Sequence, residues 1–278
     1  MCGEDRYQTA IKVGEEVRKL VSNQNSVILA VGTNFPDAMS VTSLAEYTNI
    51  PILLTQTETL NQDTQNALKS WGITNVIIIG KEQAVSQKVE DTIKKLSISA
   101  NGENSSVSSI SVERIGGEDR YETAELIGDK LISLLGNEET PISRTSSNIG
   151  LSNVSAKCDN AWSVSAKTSS NTIEQAILVD GTNFPDALTV SSLAGNYKAP
   201  ILLTEQRSLN KTTQSALKDW SVSKITIAGG IKAVAKEIEE ELKELKQNSS
   251  SAMIIERLAG VDRYETAVKI SQKYSSIK

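Results

Sequence analysis

Gly32-Thr33-Asn34-Phe35-Pro36-Asp37-Ala38 occurs twice in this chain, the second time at positions 181–187. Pro-Ile-Leu-Leu-Thr at 51–55 returns at 200–204 with the same offset of 149 residues. From 30–72 to 179–221 the two copies align without a gap and share 24 of 43 residues. The chain is therefore built from copies of one folding unit. Copies of one unit usually present copies of one surface, which favours multivalent binding over catalysis.

A second motif, Gly-x-Asp-Arg-Tyr-x-Thr-Ala, begins at Gly3, Gly117 and Gly260. Its aspartate is placed to cap a helix, and the Gln or Glu three residues later fits a capping box. Capping does not account for the arginine and the tyrosine. The arginine either holds another part of the protein or contacts a phosphate or carboxylate of a ligand, and both interpretations stay open.

Short apolar runs alternate with helical patterns in both copies. The runs at 27–31, 52–55 and 76–79 predict buried strands, as do those at 176–179, 201–204 and 225–228. A proline suits the first position of the helix that follows each Gly-Thr-Asn, and Lys/Glu-rich helices are expected at about 87–96 and 236–246. Continuous apolar strands separated by helices predict an α/β fold of tandem three-layer units with parallel sheets, as pseudo-symmetric repeats.

The repeats predict the domain organisation. We expect a first repeat at 1–112, lacking the strand before Gly3, and a second at 113–255 with an insertion at about 136–175. Residues 256–278 begin a third repeat and stop after one helix. The insertion carries Cys158 and Trp162 and is interpreted as a solvated excursion, with a binding role as the alternative. Because the chain starts inside a motif, we expect a piece of a longer protein whose signal peptide lies outside it.

The composition removes several classes of function. The chain has no histidine, so it lacks the commonest general base and metal ligand. Its net charge of −5 argues against nucleic acid as the main partner. The two cysteines are not in matched positions, and no cluster has metal-ligand spacing. We therefore predict no enzyme activity, no cofactor and no metal, although paired carboxylates remain an alternative.

The Gly-Thr-Asn turn is the first candidate binding surface. Ligands of open α/β sheets bind at the carboxyl ends of strands, and a helix N-terminus favours anions. Alternatively, the glycine only permits the turn, and Asp37 and Asp186 only satisfy helix N–H groups. Ile-Leu-Leu is by default a core strand, or else it shapes an interface or supports a ligand site.

Taken together, these motifs resemble the type 2 cell-wall-binding repeat (CWB2) of clostridial and other Gram-positive cell wall and S-layer proteins. The matching elements are Arg-x-x-Gly-x-Asp-Arg-Tyr-x-Thr-Ala at 114–124 and 257–267, the Gly-Thr-Asn turn, Ile-Leu-Leu and the glycine after the third strand. The resemblance implies a Toprim-like fold, three repeats usually packed as a triangle, and non-covalent anchoring through an anionic, teichoic-acid-like wall polymer. It also implicates the Ile-Leu-Leu residues in anchoring.

Charge and loop position add the arginines and the turns to this set. The residues predicted to bind or anchor the polymer are Ile52, Leu53, Leu54, Ile201, Leu202, Leu203, Arg6, Arg120, Gly32, Thr33, Asn34, Gly181, Thr182 and Asn183. The expected partners are the anionic polysaccharide and other repeats of the same type, at the cell wall and without membrane insertion. One alternative is an S-layer or oligomer contact without polymer binding, and another is a wall hydrolase.

Overall fold

The computed structural model describes residues 2–21, 24–97, 109–136, 173–183, 185–245 and 252–277, which form two compact α/β units. Among them, residues up to 38 and from 48 to 116 belong to the first unit, and residues 39–47 and from 117 onwards belong to the second. Most of the expected insertion, with Cys158 and Trp162, lies outside the described residues.

The two copies of the repeat contribute the same order of strands and helices. The first half of the chain holds α1 Arg6–Leu20, β1 Ser26–Val31, α2 Pro36–Ser40, α3 Thr42–Thr48, β2 Ile52–Thr55, α4 Gln62–Ser70, β3 Asn75–Ile79, α5 Gln87–Lys94 and β4 Ser111–Ile115. The second half holds α6 Arg120–Gly136, β5 Gln175–Asp180, α7 Pro185–Tyr197, β6 Ile201–Thr204, α8 Lys211–Asp219, β7 Lys224–Ala228, α9 Lys236–Glu244, β8 Ile254–Leu258 and α10 Arg263–Ser275.

Each unit contains a parallel sheet of four strands, in the orders β2-β1-β3-β4 and β6-β5-β7-β8. The registers match between units, since Leu29 pairs with Leu53 and Ile78 in the first sheet and Leu178 pairs with Leu202 and Ile227 in the second. The predicted α/β fold with parallel sheets in tandem units is therefore confirmed.

The fourth strand of each sheet comes from the start of the next opening motif. β4 pairs with β3, and β8 pairs with β7. The boundary expected at 112/113 thus falls inside β4, and β8 begins before the third repeat expected at 256. A strand before an opening helix completes the preceding sheet, so the first sheet has four strands although no strand is described before Gly3.

Aliphatic side chains from the strands and the covering helices fill the core of each unit. In the first unit Leu29, Leu53 and Ile78 pack with Leu68 of α4 and Val89 of α5, and all five are fully buried. Burying one such side chain is worth about 1.5–3 kcal/mol before chain entropy is counted.

Candidate binding surface at the strand-end turns

The carboxyl end of the central strand in each unit carries a short turn. We call residues 32–34, after β1, the first strand-end turn and residues 181–183, after β5, the second. Thr33 and Asn34 are exposed, and so are Thr182 and Asn183. The N–H of Gly32 donates to the carbonyl of Thr55 over 2.8 Å, and Gly181 makes the same bond to Thr204 over 2.9 Å. Both turns are therefore fixed at the edge strand while their tips face solvent.

The opening helix of each unit holds the turn through its arginine. Nη1 of Arg6 donates to the carbonyl of Gly32, and Nη1 of Arg120 donates to that of Gly181, each over 2.5 Å. Both arginines thus have an intramolecular partner, as the structural interpretation of the motif required. Within the described part of the chain their other N–H groups have no acceptor, so the guanidinium keeps donors for a ligand.

The tyrosine of the same motif explains why the turn begins with glycine. A Cβ at Gly32 would lie 2.9 Å from Cε1 of Tyr7, and one at Gly181 would lie 3.1 Å from Cε1 of Tyr121. The ring therefore lies against the glycine backbone, and any side chain there would displace it. The sequence left this tyrosine unexplained, because its contact is formed across the fold.

The other residues of the opening motif form a capping arrangement. In α6 the Asp119 carboxylate accepts from the N–H groups of Tyr121 and Glu122. The Thr123 hydroxyl accepts from the N–H of Gly117 and donates to the carbonyl of Asp119. Equivalent bonds occur at α1 and α10. These residues maintain the helix start, which leaves the arginine as the motif's candidate for ligand contact.

The aspartate of the repeated heptapeptide faces the turn after the third strand. A Cβ at Gly80 would lie 2.8 Å from Oδ2 of Asp37, and one at Gly229 would lie 2.7 Å from Oδ2 of Asp186. Burial raises the pKa of Asp186, against the nearby charge of Arg263. Its Oδ1 is buried with no hydrogen-bond partner among the described residues. Asp186 therefore packs against this glycine, and no helix-capping bond of Oδ1 is seen.

A second pair of arginines, not predicted as site residues, supports the same edge. Arg114 donates from Nη1 to the carbonyls of Gly80 and Val85 and from Nε and Nη2 to Glu90. Burial acts to raise the pKa of Glu90, but Lys94 and Arg114 outweigh it and hold that pKa below its ordinary value. Arg257 binds the carbonyl of Gly229 and Glu239 in the second unit. Each arginine therefore links the glycine after the third strand of its sheet to the helix that follows.

The Ile-Leu-Leu residues lie in the edge strands β2 and β6. Ile201, Leu202 and Leu203 are at most 2% exposed, so their side chains are not available to a ligand. Of the same three residues in β2, Leu53 is fully buried, while Ile52 and Leu54 are half-buried. An anchoring role for these residues stays a prediction, and in the second unit it would have to act through the shape of the sheet.

Other classes of site are not found in the described residues. No group of three or more Asp, Glu or Cys side chains within these ranges could hold a metal ion. Among the same residues, no helix combines the length and apolar character needed to cross a bilayer.

Comparison with known proteins identifies a family. The model of cell wall binding domain 2 (CWB2) matches residues 1–90 and 114–239. The N-acetylmuramoyl-L-alanine amidase LytC of Bacillus subtilis (strain 168) is 27% identical over 271 residues, which are 98% of this chain and 42% of the amidase. The amidase enhancer of the same organism is 26% identical over 269 residues, which are 96% of this chain and 28% of the enhancer. The chain thus spans less than half of either relative.

Two solved structures share the fold. Cwp6 from Clostridium difficile matches with a TM-score of 0.70 at 24% identity, covering 99% of this chain and 35% of Cwp6. Cwp8 from the same organism matches with a TM-score of 0.67 at 26% identity, covering 98% of this chain and 37% of Cwp8. Their match extends over both α/β units described above.

Proposed function

This chain belongs to the cell wall binding domain 2 family, and from that premise we propose that it anchors a larger protein non-covalently to an anionic wall polysaccharide of the teichoic-acid type. The polymer would contact the strand-end turns and the arginines that hold them. Cell wall binding itself follows from the family. We propose in addition that the polymer is anionic and that these turns and arginines contact it.

The repeated pairing of an exposed turn with a partly free guanidinium carries this proposal. Arg6 and Arg120 each donate from one nitrogen to a glycine carbonyl and keep further N–H donors for the oxygen atoms of a ligand. A guanidinium suits phosphate and carboxylate because its planar fork can give two parallel hydrogen bonds. A polymer with regularly spaced anionic groups can use more than one such position along its length.

Repetition matters because each contact is weak. Two unit charges 4 Å apart in water attract by about 1 kcal/mol, and salt screens that attraction over about 8 Å at physiological ionic strength. Engaging a second site on the same polymer is an intramolecular step, so avidity can exceed the affinity of one site by about 10²–10⁴. We therefore expect useful affinity only for a polymer that is long compared with one unit.

A non-catalytic role is part of the proposal. The chain has no histidine, and Asp37 and Asp186 pack against the glycines that follow the third strands. The amidase relative has more than half of its length outside the match. Any activity on wall material would then belong to another part of the full-length protein.

We also propose that another repeat of the same type is a partner of this chain, within one molecule or between molecules. In α6, Tyr121 lies against Gly181 of its own unit, whereas the equivalent Tyr264 of α10 is 77% exposed. Val261 and Val268 are exposed on the same segment. A further α/β body would cover this apolar surface as the second unit covers that of α6. The same observation favours the alternative function, an S-layer or oligomer contact without polymer binding.

The test of polymer binding is sedimentation of the chain with purified wall polymer across a salt series. We expect pull-down at low salt and release as the salt concentration rises. Peptidoglycan stripped of its polymer is the matched control and should not retain the chain. Retention by stripped peptidoglycan alone would contradict the proposal. Changed assembly mass in an Ile52/Leu53/Leu54 variant with unaltered polymer binding would support the oligomer alternative.

A further inference from the structure

We propose that the two strand-end turns differ in specificity: the first binds the anionic groups of the polymer, and the second binds its sugar hydroxyls. The proposal rests on the proposed function and names the residues that give the two turns different specificities. These are Val31 and Gln56 in the first unit, and Asp180 and Glu205 at the equivalent positions of the second. The turns themselves have the same sequence.

The first difference lies at the end of the central strand. Asp180 pairs in register with Thr204, as Val31 pairs with Thr55. Asp180 is 5% exposed, and its Oδ1 accepts from the Thr182 N–H over 2.8 Å and from the Thr182 hydroxyl over 2.6 Å. Both donors of the second turn's threonine are therefore committed to an internal carboxylate.

The first turn keeps the same two donors available. Val31 offers no acceptor, and within the described residues neither the N–H nor the hydroxyl of Thr33 has a hydrogen-bond partner. Thr33 is exposed, so both groups can donate to a ligand. Together with Arg6, the first turn therefore presents hydrogen-bond donors and a positive charge, which suit a phosphate or a carboxylate.

The second turn is suited to a different ligand group. A hydroxyl whose proton is held by a carboxylate can only accept from a ligand. An ionised phosphodiester has no proton to give, whereas every sugar hydroxyl has one. The Thr182 oxygen therefore favours hydroxyl groups over anionic ones, and the buried negative charge of Asp180 beneath the turn repels anions.

The second difference adds another carboxylate beside the second turn. Glu205 directly follows Thr204, whose carbonyl holds Gly181, and the equivalent residue Gln56 is neutral. Burial raises the pKa of Tyr121, and the charge of Glu205 is the next contribution. The Glu205 carboxylate accepts from the Ser208 hydroxyl over 2.9 Å, and its charge reaches the Tyr121 hydroxyl beside the turn. The second turn thus has carboxylates, Asp180 and Glu205, where the first has Val31 and Gln56.

The experiment exchanges these residues in the full chain and measures binding to poly(glycerol phosphate) and to uncharged dextran of matched length. Val31→Asp should weaken poly(glycerol phosphate) binding on the order of tenfold, as expected for one carboxylate close to an anion site. It should also strengthen dextran binding, because it gives the first turn the acceptor arrangement of the second. Asp180→Val should strengthen poly(glycerol phosphate) binding several-fold and weaken dextran binding.

Gln56→Glu and Glu205→Gln change exposed side chains, so these variants should fold. They test the effect of charge even if Val31→Asp or Asp180→Val fails to fold. Gln56→Glu should weaken, and Glu205→Gln should strengthen, binding of poly(glycerol phosphate). If matched substitutions in the two units changed binding equally, the assignment of the two turns would be overturned while the proposed function would stand. The same holds if the wild-type chain binds and none of these substitutions changes its binding. Absence of binding to wall polymer and to both probes by the wild-type chain would overturn the proposed function with it.

Discussion

Trp220 donates its indole N–H to Oδ1 of Asp129 over 2.7 Å, which joins α8 to α6 in the second unit. The same ring lies so close to α6 that a Cβ at Gly128 would be 2.3 Å from its Cη2 atom. Trp220 is 2% exposed, so the ring cannot move out of the way without disturbing the core. The hydrogen bond and the glycine together determine where α6 lies on its unit.

Gly128→Ala should therefore destabilise the second unit. Overpacking of a filled core costs about 1–3 kcal/mol, and any shift of the ring also weakens its bond to Asp129. Gly230→Ala is the matched control, because a Cβ there meets nothing within 4 Å. Urea unfolding of both variants checks the prediction, and equal stability of the two would show that the ring adapts freely.

Acidic residues around this contact predict a pH effect. Burial raises the pKa of Asp129, against the bond from Trp220, and Asp219 raises it further. Burial, Asp129, Asp219 and Glu122 raise the pKa of Glu125. Since the folded state binds these protons more readily than the unfolded state, its stability rises as the pH falls from neutral through the raised pKa values.

Asp129→Asn removes one of these charges and should stabilise the α6–α8 contact at pH 7. Because Asp129 is exposed, solvent screens its charge and we expect a gain under about 1 kcal/mol. The gain should disappear below about pH 3, where the carboxyl is protonated in both the folded and the unfolded state. Hydrogen exchange of α8 amides at the two pH values is the measurement. Glu237→Gln, an equal charge change on an exposed face of α9, should show no comparable effect.

Gly80 has a backbone conformation and a contact that both require glycine. Its φ is +92°, and a Cβ would lie 2.7 Å from that of Ala84 and 2.8 Å from Oδ2 of Asp37. Gly80→Ala should cost about 2–4 kcal/mol, since backbone strain adds to the collision. Gly72 has φ +66° in open space, so Gly72→Ala should cost only about 1–2 kcal/mol. Thermal melts that rank the two variants in reverse order would contradict this account.

The sequence predicted the strands well because each is a continuous apolar run ended by glycine or by polar residues. The runs at 52–55 and 201–204 are β2 and β6 without a change of boundary. Which sheet a strand joins is a long-range property, however, and β4 and β8 close the sheet that precedes them. Nothing local to the run at 111–115 shows this.

The helix after each strand-end turn shows a second limit. In the second unit α7 is continuous, while the equivalent segment of the first half is divided into α2 and α3. The Thr42 hydroxyl donates to the carbonyl of Met39 over 2.7 Å, beside the break between the two helices at residue 41. A hydroxyl that competes for a helix carbonyl favours such a break. The alignment of the copies predicts equivalent helices and cannot show this difference.

The candidate site was predicted only in part, because its contacts join residues that are far apart in the sequence. Charge and position singled out Arg6, Arg120 and the turns, but the bonds of these arginines to Gly32 and Gly181 span 26 and 61 residues of chain. Arg114 and Arg257 were missed because an arginine in a strand has no local signal for contacts with a distant turn. The different environments of Ile52 and Ile201 were also hidden by identical sequence.

The polymer-binding role of the arginines predicts a graded loss. Arg6→Ala and Arg120→Ala should each weaken binding to wall polymer several-fold, with the larger effect at Arg6 for an anionic polymer. The double variant should lose more than either, because the second contact multiplies the first when one polymer bridges both. Lys88→Ala is the control, since it removes the same charge from an exposed position of α5.

Sedimentation with wall polymer at a fixed low salt concentration measures these losses, and circular dichroism confirms that each variant keeps its helices. Arg6→Lys separates charge from geometry, because lysine keeps the charge but cannot hold the glycine carbonyl and an oxyanion with one planar fork. We expect it to bind between Arg6→Ala and wild type. If folded Arg6→Ala and Arg120→Ala chains bind like Lys88→Ala, the arginines serve only to hold their turns, and the polymer contact lies elsewhere.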